Sequence, residues 1–251
     1  MLLALAPVMA LAPSHLSPRA QRRLTKVHET LAAAPAPWVL IDGNNVRWAA
    51  GCRLSPQALT ASVDEWASRN GLAQRVITVW DHGEPAAFCL PHTACVLSGE
   101  AQVADDVIVQ LTGFLPEPVV VFSSDSGLVG RCHAQRAMQE TPAPLTALHS
   151  LFLGWILDAP WPVGNSKERA PQPPREGREV RRQDAHALMR SLREGQFGTP
   201  AADGKGRERL SGVVDWLDCA EPTGLTIERT TRSGNLLYKL SMTLNDLVPV
   251  E

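Results

Sequence analysis

Five aspartates stand where an α/β chain brings side chains to one edge of its sheet. Asp42 ends the apolar run WVLI, Asp81 ends VITVW, Asp105 and Asp106 open ADDVIVQLTGF, and Asp125 follows VVVF through Ser123 and Ser124. Carboxylates gathered in one mouth repel one another and raise each other's pKa unless a cation neutralises them. A hard divalent cation, Mg²⁺ or Mn²⁺, takes oxygen ligands, retains water and suits hydrolysis of a phosphodiester. The expected metal set is Asp42, Asp105 and Asp125, with Asp81 at its side and Asp106 helping in catalysis. Asp42 runs on into Gly43, Asn44 and Asn45, so two amides reach the same mouth. Trp48, in the loop past that turn, is the tryptophan placed to stack on a base. Each acid also has an ordinary reading, since Asp-Gly makes turns and aspartate caps helices. It is their agreement in strand and helix context that points to chemistry.

The elements that must hold these residues alternate. Strands are predicted at 39–42, 76–80, 95–97 and 119–122. Helices are predicted from Ser55-Pro56 to Asn70-Gly71, over 104–114, from Ser126 to about Met138, and over 145–157. Strands alternating with helices imply a parallel sheet covered on both faces. The α/β unit is expected over 38–160, followed by a proline-rich linker at 161–178. A small C-terminal α+β extension, 179–251, is expected to hold helices near 181–193 and 209–217 and a hairpin whose strands flank Arg232-Ser233-Gly234-Asn235.

Charge is unevenly spread. Residues 1–37 carry four basic and one acidic side chain, 38–165 six and twelve, 166–209 eleven and seven. An acidic middle between basic flanks suits an enzyme that gathers acids for metal and grips phosphate from outside, with arginines 169–209 as the expected flank. No run approaches the roughly 20 apolar residues of a membrane span. Five scattered cysteines do not describe a disulfide framework, which indicates an intracellular, reducing compartment. The stretch 1–37 opens apolar and turns basic with no acid before Glu29, resembling the bipartite leaders of some algal plastid proteins. It is expected to be a plastid or other organellar targeting segment, or disordered.

IDGNNV, ADDVIVQL and VVVFSSDSGL, in this order, resemble the NYN domain of the PIN-like nuclease superfamily, closest to its YacP-like branch, over about 38–157. The resemblance implies a doubly wound, Rossmannoid sheet and a metal-dependent endonuclease acting on single-stranded RNA. It makes Asp42 the strand-one metal ligand and Asn45 the amide that orients ligand or water. Asp105 becomes the first acid of the helix-opening pair with Asp106 beside it, Asp125 the acid of the Ser-Asp turn with Ser124 next to it, and Asp81 the strand-two acid. Asn44 stands where such proteins often have tyrosine, which bears on substrate contact. Val109 stands where they often carry glutamate, which removes a potential ligand for a second metal. A non-catalytic RNA-binding or assembly module is the alternative. A phosphatase with Asp42 as nucleophile ranks third, because Asn44 stands where that chemistry wants a second aspartate.

Overall fold

Strand β1 (Trp38–Asp42) is buried at every residue because its side chains alternate between two apolar layers. Val39 and Ile41 enter one layer, Trp38 and Leu40 the other. The structure, a computed structural model, describes residues 18–32, 37–49, 54–100, 102–115, 117–139, 142–157, 178–197, 213, 226–232 and 235–241. Helix α1 (Pro18–Leu31) precedes β1. After it come α2 (Gly43–Ala49), α3 (Pro56–Arg69), β2 (Val76–Trp80), β3 (His82–Cys89), β4 (Ala94–Gly99), α4 (Ala104–Phe114) and β5 (Val119–Phe122). Then follow α5 (Ser126–Ala137), β6 (Leu145–Leu148), α6 (Ser150–Ile156), α7 (Arg178–Arg193) and an antiparallel hairpin of β7 (Thr226–Arg232) and β8 (Asn235–Ser241).

Six strands form one sheet in the order β3-β4-β2-β1-β5-β6. All neighbours are parallel except β3, which runs antiparallel along the β4 edge. Counting only the parallel strands in chain order gives 3-2-1-4-5, a Rossmann-like arrangement whose direction of winding reverses between β1 and β5. Helices cover both faces: α4 and α5 close over Trp38, Leu40, Ile77 and Val121, while α1, α3, α6 and α7 close over Val39, Ile41, Val76 and Phe122. Each such aliphatic side chain taken out of water contributes about 1.5–3 kcal/mol.

Local chemistry explains the boundaries. Ser55 caps α3 by accepting the Ala58 N–H at 3.1 Å, Pro56 opens the helix, and Gly71 leaves it at a φ of 67°. Gly43 must lack a side chain, because a Cβ there would lie 2.7 Å from the Trp80 ring. Arg136 is buried within the α4–α5 layer and donates to the carbonyl oxygens of Thr112, Leu115, Glu117 and Ala143, tying the end of α4 to the start of β5.

Four expectations change. The stretch expected as one helix over 145–157 divides into β6 and α6, because Leu145–Leu148 pairs in parallel with Val119–Phe122 before His149 caps a helix. Strand β3 was not foreseen; it carries Pro85 and a register shift between His82 and Ala86, features that only an edge strand tolerates. Within the 1–37 stretch, residues 18–31 form α1, whose Leu24, Val27 and Leu31 are 2%, 2% and 6% exposed in the core. Helix α7, expected in the C-terminal extension, packs on the α/β unit: Leu188 enters the core, and Ala185 and Met189 meet Leu97. Residues 1–17, the proline-rich linker over 161–177 and the helix expected over 209–217, Val213 apart, lie outside the described residues. No helix among the described residues is long and apolar enough to cross a membrane.

Candidate active site

The winding reverses between β1 and β5, the place where open α/β sheets receive ligands at the carboxyl ends of their strands, and Asp42 is the last residue of β1 there. Only 5% of the residue is exposed. Oδ1 accepts the Asn45 backbone N–H at 3.0 Å and Oδ2 accepts the Ser123 hydroxyl at 3.0 Å. Desolvation nevertheless pushes the Asp42 carboxyl up from 3.8 to about 7, with the charges of Asp105 and Asp81 acting in the same direction. Asp105, in the first turn of α4, is pushed up to about 6 by desolvation and then by Asp125, against the opposing pull of Arg131. Two carboxyls on different elements are therefore both reluctant to ionise. The Asp105 charge acts on Asp42, and those of Asp125, Asp81 and Asp106 act on Asp105.

The remaining acids are held by the protein. Asp106 pairs with the Arg131 guanidinium, which also lies 3.9 Å from Asp105. Asp125 caps α5, its Oδ1 accepting from Gly127 N at 2.7 Å and Leu128 N at 3.2 Å. Asp81 braces two elements: Oδ1 accepts from Ala104 N at 2.7 Å at the start of α4, and Oδ2 from the Asn44 amide at 3.0 Å.

Asn45 joins three turns. Its side-chain Oδ1 accepts from the Ser124 N–H at 2.9 Å, the Ser124 hydroxyl at 2.7 Å and the Ser150 hydroxyl. Its Nδ2 is left as a donor with no partner among the described residues. Asn44, expected to touch substrate, spends its amide on Asp81. Trp48, expected in a loop, is half-buried on α2, because the helix begins directly after Asp42. Ser123, Arg131, Ser150 and His149 were not singled out from the sequence. Ser123 and Ser150 are recognisable only once β5 and β6 are known to end side by side, and Arg131 needs the α4–α5 packing. His149 caps α6, its Nδ1 accepting the Leu151 N–H at 3.2 Å, which leaves the neutral ring's proton on Nε2. Desolvation holds its pKa below the ordinary 6.5.

Among the described residues no three His, Cys, Asp or Glu side chains are gathered tightly enough to hold a metal ion as they stand. Each of the five acids has a protein donor or a guanidinium beside it. The donor chemistry still fits a hard cation: all oxygen, from a buried Asp42, half-buried Asp81 and Asp105 and an exposed Asp125, with two carboxyls of raised pKa that positive charge would lower. Comparison of the chain with protein-family models, with curated proteins and with solved structures finds no match. The functional reading therefore rests on the residues and their arrangement.

Proposed function

We propose that the protein is a Mg²⁺- or Mn²⁺-dependent ribonuclease of the NYN type, a phosphodiester hydrolase acting within single-stranded RNA. The observation that carries this reading is that Asp42, at the reversal point of the sheet, is raised to about 7 with the Asp105 charge contributing, while Asp105 is itself raised to about 6. Asp42, Asp105 and Asp125 would hold the cation, with Asp81 beside them. When bound, the cation supplies a Lewis acid that offsets phosphate charge and acidifies the attacking water. Ser123 and the Asn45 N–H orient the Asp42 carboxylate. Asn45 Nδ2 would donate to a phosphate oxygen, and the Ser124 and Ser150 hydroxyls fix its amide plane. Arg131 holds Asp106 and restrains the acid pair. His149 offers Nε2–H at the end of β6 beside this mouth.

Labelled single-stranded RNA incubated with the full chain, with and without Mn²⁺, tests the proposal. Cleavage that needs Mn²⁺ and disappears in Asp42→Ala is expected, and cleavage undiminished in that folded variant refutes it. The second reading, an RNA-binding module that does not cut, is favoured by the protein partners already held by each acid. It predicts binding without cleavage in the same tubes.

A further inference from the structure

Helix α1 carries Arg19, Arg22, Arg23 and Lys26, and every one of them is exposed. They recur at i, i+3, i+4 and i+7, so they form a single stripe about 10 Å long. None of the four side chains has an ion-pair or hydrogen-bond partner among the described residues. Glu29 is the one acid on the helix. Several described arginines elsewhere are engaged: Arg182 grips Glu100 with two nitrogens, Arg193 reaches Glu84 at 2.7 Å, and Arg47 reaches Asp184 at 2.7 Å. The flank expected from the sequence to grip RNA thus uses its described cations partly to dock α7. Four described cations without such partners lie together at the other end of the chain, on α1.

We infer that the outward stripe of α1 is a docking track for the phosphodiester backbone of a single-stranded nucleic acid. Three observations converge on a polyanion. Four cations without partners on one face retain their full charge for an outside anion. The opposite face is spent, because Leu24, Val27 and Leu31 are buried against the core, so α1 has no apolar side left to enter a lipid interface. The helix also packs on α6, sharing a core with Leu153 and Leu157, and the first residue of α6, Ser150, donates to Asn45. A strand gripped along α1 is therefore held by a helix two packing steps from the acids. This rests on the nucleic-acid reading of the site for its place in a reaction, but binding by the stripe is independent of cleavage.

The test uses the full chain carrying Asp42→Asn, so that binding is read without turnover. Affinity for a fluorescein-labelled single-stranded RNA, and for DNA of the same sequence, is measured from about 50 to about 300 mM salt. The comparison is between that protein and the same protein with R19Q, R22Q, R23Q and K26Q. On a single strand each phosphate contact contributes about 0.7 to the slope of log affinity against log salt, so loss of two to four contacts should lower the slope by about 1.4–2.8. Affinity at low salt should fall at least about tenfold. A lysine series, R19K, R22K and R23K, should restore the slope, because counterion release depends on charge and not on the guanidinium shape. A control with R69Q and R193Q should leave the slope unchanged. An unaltered slope in the glutamine variant, an equal drop in the control, or stripe-dependent binding to phosphatidylserine vesicles without binding to RNA overturns the inference. If wild type binds through the stripe yet cuts nothing, the nuclease reading fails and the docking track stands; if it cuts while the stripe is silent, the reverse holds.

Discussion

Asp42→Asn should make the metal-free protein more stable at alkaline pH. In the folded chain the carboxyl titrates near 7 against an ordinary 3.8, so the folded state holds its proton more tightly than the unfolded state does. The stability linked to this group is fully present below the unfolded value of 3.8 and is lost as pH rises through about 7. Above that, ionising a buried carboxyl costs the fold at most about 4 kcal/mol, at about 1.4 kcal/mol per pH unit of displacement. Asparagine avoids that cost while keeping an oxygen for the Asn45 N–H and presenting its amide to the Ser123 hydroxyl, which can turn to accept. Because Asp105 shares the strain, relief is expected to be about 2–4 kcal/mol at pH 8, or roughly 4–16 °C in Tm for a chain of this size. Urea denaturation in EDTA at pH 8 and at about pH 4 measures it. The gain should shrink to near zero at the lower pH, and saturating Mn²⁺ should stabilise wild type but not the variant. Equal stability at pH 8, or the same gain at both pH values, refutes the account of a strained carboxyl.

Three further outcomes follow from the same contacts. Binding of Mn²⁺ at about pH 6.5 should release protons from Asp42 and Asp105, seen in calorimetry as a heat that changes with the ionisation enthalpy of the buffer. Asn45→Ala should cost about 2–4 kcal/mol in urea denaturation, since it strips the acceptor from the Ser150 hydroxyl, whose residue is 0% exposed, and from two Ser124 donors. Leu24→Ala should cost about 2–5 kcal/mol in the same assay if α1 is part of the core; a change within about 0.5 kcal/mol would place that helix outside the cooperative unit.

The central strands and the two helices that carry acids were legible because each has a one-sided or fully apolar pattern closed by strong punctuation. VITVW, VVVF and ADDVIVQLTGF could hardly be read otherwise, and Ser55-Pro56 and Asn70-Gly71 delimit α3 as capping chemistry requires. The edges were less legible for a physical reason. Strands β3 and β6 owe their conformation to a neighbour, since their half-buried side chains carry no period that excludes other choices. The acids were named from the sequence, whereas the groups that contact them were not. Ser123, Arg131 and Ser150 act through tertiary contacts with Asp42, Asp106 and Asn45, and local spacing carries no record of such distant partners. The same limit applies to α1, whose basic, acid-poor composition does not disclose that Leu24, Val27 and Leu31 enter the core.

The Asn45 junction also sets an order of assembly. Its two seryl partners lie 79 and 105 residues further along the chain, so the junction closes only over very long loops. During synthesis β1, β2 and β4 are complete well before Ser150 has been made, and until β6 pairs with β5 the Asn45 carbonyl lacks one of its anchors. Contacts of such separation form late and slowly relative to local helices. The site is therefore among the last parts of the α/β unit to take shape, and an unfinished chain carries the acids without the frame that aligns them.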